Sequence, residues 1–168
     1  MRLVVDACVL QSAGTTEAPC SQACRLTLLA ITGADHVLHY DSILEEEWRN
    51  HTSTFSRKWR AMMLSRRRLE FVKTLKSTSG LRRAVTTHLA DHSAHKAALK
   101  DVHLVALALQ ADESILSRDG TARGLFATIS EGETRLRKLL WIDPTQQPNE
   151  ALAWLRNESE PLDDWRLK

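Results

Sequence analysis

The chain has 168 residues, of which 43% are hydrophobic and 26% charged, and a net charge of +2. This is the make-up of one globular domain large enough to bury a core. Its longest uncharged apolar stretch, residues 104–109, is far too short to span a bilayer. An acid at Asp6 stands where a secretory signal would keep its apolar region, so a cytoplasmic protein without membrane contact is expected.

Residues 2–5 are short, β-branched and apolar and predict a buried strand. After a loop or first helical turn from Cys8, residues 17–32 carry apolar positions at Ala18, Leu26, Leu29 and Ala30 and predict a helix ending near Gly33. Residues 35–40 predict a second strand, after which Asp41 or Ser42 can cap a helix with Glu45 to Glu47 in its early turns.

The next stretch is basic. Residues 57–83 hold ten basic side chains and one acid, Glu70, a local charge of about +9; the other 13 basic and 20 acidic residues leave the rest at about −7. Apolar residues punctuate this arm at roughly helical spacing, from Trp48 through Met62, Met63 and Leu64 to Leu69, Phe71, Val72 and Leu75. One or two amphipathic helices are therefore expected there. A basic arm on an acidic body suits binding of a phosphate backbone, with Arg57, Lys58, Arg60, Arg66, Arg67 and Arg68 as the candidate contacts.

Residues 76–80 predict a loop and 81–98 a polar helix; residues 101–111 are apolar on most sides and predict a buried helix. Residues 114–117 and 139–142 predict two more strands, the first followed by a turn at Arg118-Asp119-Gly120. Alternating strands and helices argue for an α/β fold: a doubly wound parallel sheet of four to five strands flanked by helices. Residues 1–143 would form this domain and 144–168 a C-terminal extension with a short helix near 149–157. Its Trp154 and Trp165 would need cover, either by packing or by a homodimer.

Four acids fall where such a sheet would bring them together. Asp6 and Asp119 follow strands, Glu47 lies on the helix after the second strand, and Asp101 opens the buried helix. Ligands bind beyond the carboxyl ends of parallel strands, where strand order reverses. Like charges gathered there are unfavourable unless a cation neutralises them, and hard oxygen donors suit magnesium or manganese. Taken singly, an Asp after a strand is an ordinary helix cap; the set is what points to a metal site. Ser117 can order one of these carboxylates or cap the turn. Other clusters carry less. His88, His92 and His95 beside Asp91 read as solvated or nucleic-acid-facing rather than as a zinc site. His103 reads as a satisfied buried histidine. Cys20 and Cys24 read as reduced, small packing residues.

The segments Val4-Val5-Asp6, Leu44-Glu45-Glu46-Glu47-Trp48, Lys100-Asp101-Val102-His103-Leu104-Val105-Ala106-Leu107-Ala108 and Ile115-Leu116-Ser117-Arg118-Asp119 resemble, in order, the four motifs of the PIN domain family. The resemblance covers about residues 2–142. It implies a magnesium- or manganese-dependent endoribonuclease with Asp6, Glu47, Asp101 and Asp119 as catalytic and metal-holding acids, Glu47 being favoured over Glu45 and Glu46 by its place before Trp48. It also implies RNA as substrate and, for the many members that are toxins of toxin–antitoxin pairs, an antitoxin partner. The family often has a small polar residue and then Asn after the first Asp, where this chain has Ala7 and Cys8. That departure keeps open a catalytically silent RNA- or protein-binding module. Phosphotransferases of other doubly wound types are disfavoured, since no GxxxxGK[ST] run occurs and Cys8 stands where a second Asp would be needed.

Overall fold

The structure, a computed structural model, describes residues 1–168. Five strands, β1 (Arg2–Val5), β2 (Val37–Tyr40), β3 (Leu69–Phe71), β4 (Ser114–Leu116) and β5 (Leu140–Ile142), form one parallel sheet in the order β3-β2-β1-β4-β5. Eight helices flank it: α1 (Ala7–Ser12), α2 (Pro19–Gly33), α3 (Ser42–Asn50), α4 (Thr54–Ser65), α5 (Thr78–His88), α6 (His92–Leu109), α7 (Gly120–Ser130) and α8 (Pro148–Leu155). This is an α/β architecture compatible with double winding. The chain moves outward from β1 through β2 to β3, then returns to place β4 on the other side of β1. The strand order therefore reverses between β1 and β4, the position at which open parallel sheets offer a crevice.

Short polar side chains start the helices that leave the carboxyl edge of the sheet. Asp6 caps α1, Asp41 caps α3 by accepting the Leu44 N–H at 2.8 Å, and Asp119 caps α7 by accepting the Ala122 N–H at 2.8 Å. Asp91 caps α6 in the same way through Ala94, which breaks the polar stretch expected as one helix over 81–98 into α5 and α6. The central strands are covered on both faces: Leu3, Val4, Val5, Ile115 and Leu116 are fully buried, as is most of α6 from Val102 to Ala108. Continuous apolar runs rather than alternation are what such strands require.

The basic arm differs from its expected form. It contains α4, an edge strand and the start of α5, not helices alone. Arg67 takes a left-handed φ of 57° between α4 and β3 and turns the chain into the sheet, where Leu69, Glu70 and Phe71 pair with Leu38, His39 and Tyr40. Three residues on an exposed edge are too few to show the period of a strand.

The C-terminal extension packs on the same core. Trp154 and Trp165 are only 5% and 4% exposed and meet edge to face with ring centroids 5.9 Å apart. Leu140 and Arg166 form an antiparallel bridge, and the Leu167 N–H donates to the Leu139 carbonyl at 3.1 Å, so residues 166–167 run along the outer edge of β5. Both indoles are covered within one chain, so of the two kinds of cover expected for them the structure supplies packing. No helix is long and apolar enough to cross a membrane.

Candidate metal centre

Asp6 lies where β1 ends, beside Ser117 where β4 ends, because Val5 and Leu116 are register partners. The fully buried Ser117 hydroxyl donates to Asp6 Oδ2 at 2.6 Å, and its oxygen accepts the Asp119 N–H at 3.0 Å. One hydroxyl thus orders a carboxylate and caps the following turn, filling both of the roles open to it. Cys8 supplies a second tether: its thiol donates to Asp6 Oδ2 at 3.0 Å, and its sulfur accepts the Arg118 N–H at 3.2 Å. Burial, with the Asp6 charge adding, pushes this thiol far above its ordinary range, so it stays protonated and a donor. The departure at Cys8 therefore still leaves a side-chain donor on Asp6. Sequence reasoning missed this because a thiol is a weak donor unless an acceptor lies in reach.

Glu47 is aimed by its neighbour. Trp48 is buried, donates its indole N–H to the Val5 carbonyl at 2.9 Å and stacks on Tyr40 with centroids 5.5 Å apart. That anchor fixes the rotation of α3 at the end of β1. Glu47 then faces the side of Asp6, while Glu45 faces a different cleft and Glu46 is exposed. Asp101 does not open its helix as expected but lies near the middle of α6, because the cap at Asp91 starts that helix at His92; it is half-buried and makes no hydrogen bond. Together Asp6, Glu47, Asp101 and Asp119 line one cleft of about 270 Å³, with Cys8, Gln11, His51 and Lys100 also in its wall.

The electrostatics match a crowd of acids. Burial, then the charges of Asp119 and Asp6, push the Asp101 carboxyl up to about 6. Burial also raises Glu47, with Asp6 and Asp41 adding and His103 and Lys100 opposing. His103 is 4% exposed, with Nδ1 3.5 Å from Asp41 and Nε2 3.7 Å from Glu47. Neither ring nitrogen makes a hydrogen bond, so the satisfied histidine expected from the sequence is instead a buried ring held between two acids.

As the side chains stand, no group of three or more His, Cys, Asp or Glu residues is close enough to hold one metal ion. That holds for the four acids and for His88, His92 and His95, of which His95 lies 3.2 Å from the Thr86 hydroxyl. The donor chemistry of the acid cleft nonetheless fits a hard divalent cation. Asp119 uses only one carboxylate oxygen for capping, and Asp101 and Glu47 make no hydrogen bonds. All four groups offer oxygen, the donor that such a cation takes.

The basic side chains divide. Arg57 and Lys58 on α4, and Arg66 and Arg67 after it, are exposed. Arg57 and the half-buried Arg60 line a cleft of about 320 Å³ with Tyr40, Glu45 and Trp48. Arg68 is committed elsewhere: it pairs with Asp35 at 3.0 Å and donates to the Asp35 carbonyl. It is a structural tie between β3 and the start of β2 rather than a free contact for phosphate. All three thiols, Cys8, Cys20 and Cys24, are unpaired, as expected.

Neither a family model nor a curated protein matches this chain.

Proposed function

We propose that this protein is a metal-dependent endoribonuclease with a PIN-like fold. The observation that carries the reading is the acid cleft at the switch point between β1 and β4, where Asp6, Glu47, Asp101 and Asp119 converge from four separate elements. A carboxyl held up to about 6 by burial and by the charges of its neighbours is costly for folding alone and useful where a cation is to be captured. The arm with Arg57, Lys58, Arg60, Arg66 and Arg67 supports RNA as the substrate class.

Magnesium or manganese held by Asp6, Glu47, Asp101 and Asp119 would supply a lowered pKa for a bound water and neutralise charge at the phosphate. The chain's own groups set this up. Ser117 and Cys8 hold Asp6 Oδ2 in one orientation. Lys100, in the cleft wall, offers a cation to a phosphate oxygen. His103 backs Glu47 and, when protonated, favours its charged form. The basic residues of α4 hold the strand against the body. A toxin of this type would be silenced by an antitoxin placing a basic side chain in the acid cleft, and reduced thiols accord with a cytoplasmic setting.

A second reading, a silent RNA- or protein-binding module, is favoured by the spacing of the acids, no three of which meet. Incubation of the protein with a mixed pool of structured RNAs, with manganese or chelator, separates the two. Cleavage that needs manganese and is lost in the Asp6→Asn/Asp101→Asn variant supports the nuclease. RNA binding with no acid-dependent cleavage supports the module.

A further inference from the structure

A larger cavity, about 470 Å³, lies beside the acid cleft at the N-terminus of α7. Arg118 and Gly120, the residues on either side of Asp119, form part of its wall, so the two clefts share that edge. Its volume is in the range of small-molecule pockets. Most of its lining residues are polar, and several have unspent hydrogen-bonding capacity. Asp143 accepts the Thr145 N–H and hydroxyl at 2.8 and 2.7 Å through one oxygen, leaving the other without a donor. Arg123 gives one N–H to the Asp164 carbonyl at 2.6 Å. Gln147 accepts the Trp165 indole N–H at 2.6 Å, which leaves its amide N–H groups to donate. Trp141, stacked on Phe126, is 1% exposed, and its indole N–H has no acceptor. A buried donor without a partner is rare and costly.

One open carboxylate oxygen among several donors is a recognition pattern. Guanine answers both kinds of group: its N1–H and N2–H₂ donate, and its O6 and N7 accept. Guanine alone has two adjacent donor groups that can converge on the one open Asp143 oxygen, whereas adenine, cytosine and uracil each bring a single donor group to it. We propose that this cavity receives the base of the nucleotide next to the scissile phosphate and selects guanine there. The assignment rests on the ribonuclease reading for the place of the cut. It adds to that reading a substrate preference set by Asp143, Arg123 and Gln147 rather than by the four acids of the neighbouring cleft.

The test uses the full chain in chelator, so that nothing is cleaved, and four labelled hexaribonucleotides of uridine differing only in one central base. Anisotropy should report tightest binding for guanine, by about tenfold, the discrimination a good paired contact gives. Asp143→Asn and Arg123→Met should bring the four affinities together, while manganese still raises the melting temperature of both variants as it does for the wild type. Gln147→Glu keeps an acceptor for the Trp165 indole, removes the amide N–H donors and should narrow the preference in the same direction if the other variants fold poorly. Equal affinity for the four oligomers in the wild type, or a guanine preference untouched by all three variants, overturns the pocket; an intact manganese response would then leave the nuclease reading standing. Loss of both RNA binding and the manganese response in the wild type would remove the pocket and the reading beneath it together.

Discussion

Asp101→Asn gives the sharpest test of the acid cleft, because it should stabilise the metal-free protein while disabling it. In the folded chain this carboxyl titrates at about 6 against an ordinary value of 3.8. That difference is worth at most about 3 kcal/mol, and because Asp101 is only partly buried, solvent screening cuts it to about 1–2 kcal/mol. The folded state binds the proton more tightly than the unfolded chain, so the benefit is full below the unfolded value and is lost as pH rises through the folded one. At pH 8 the wild type therefore carries an uncompensated charge, and Asn relieves it without breaking any hydrogen bond. In chelator the variant should melt a few degrees higher than the wild type at pH 8, at roughly 2–4 °C per kcal/mol for a chain of this size. The gain should fade towards pH 4. Manganese should reverse the order, since a ligand at a hundredfold excess over its Kd adds about 2.7 kcal/mol and the variant has lost one donor. Melting curves at pH 4 and 8, with chelator or manganese, decide it. A variant less stable than the wild type at pH 8 without metal, or equally favoured at both pH values, would refute the picture of crowded carboxylates.

Other perturbations separate holding from gripping and packing. Ser117→Ala removes the donor to Asp6 and should cost about 1 kcal/mol of stability, with a fall in RNA cleavage that Ser117→Thr partly restores; unchanged cleavage would leave Ser117 a turn cap only. Replacing Arg57, Lys58 and Arg60 by Ala should weaken RNA binding evenly across sequences and lower the salt slope by about one for each phosphate no longer neutralised. Arg68→Ala should instead reduce thermal stability by removing the Asp35 pair, with the salt slope unmoved. Trp165→Ala should cost about 3–5 kcal/mol, read by denaturant unfolding, with the sedimentation coefficient of the folded fraction unchanged because the indole is covered within one chain.

Much of the fold was legible because its central strands are buried on both faces. Val4-Val5, Ile115-Leu116 and Leu140 to Ile142 form short apolar runs bounded by Asp or Ser, and buried parallel strands have no other signature. The same bounding residues, Asp6 and Asp119, announced both a helix cap and a candidate ligand, and the geometry gives each of them the cap. Strand β3 was hidden: Leu69 and Phe71 fit a helical spacing as well as a strand, and only pairing with β2 decides between them. Glu47 could be favoured over its neighbours because Trp48 beside it needed burial. The roles of Cys8 and His103 depend on contacts between elements far apart in the sequence, through Arg118 for one and Asp41 for the other, and no local pattern encodes those. Arg68 was indistinguishable from Arg66 and Arg67 until the turn at Arg67 brought it to Asp35.

The bridge between Leu140 and Arg166, with Leu167 on Leu139, makes the two margins of the sheet unequal. Beyond β5, the unpaired backbone that would otherwise template another strand is occupied by the chain's own residues. Beyond β3 it is open, guarded only by brevity and by the charge of Glu70 and the arginines before it. Cutting the chain before Arg166 would expose β5, whose Leu140, Trp141 and Ile142 form a hydrophobic, uncharged segment of the kind that seeds intermolecular β-pairing. The end of the extension thus works as a selvedge, and shortened forms of the protein should fail first by aggregation, before any loss at the acid cleft.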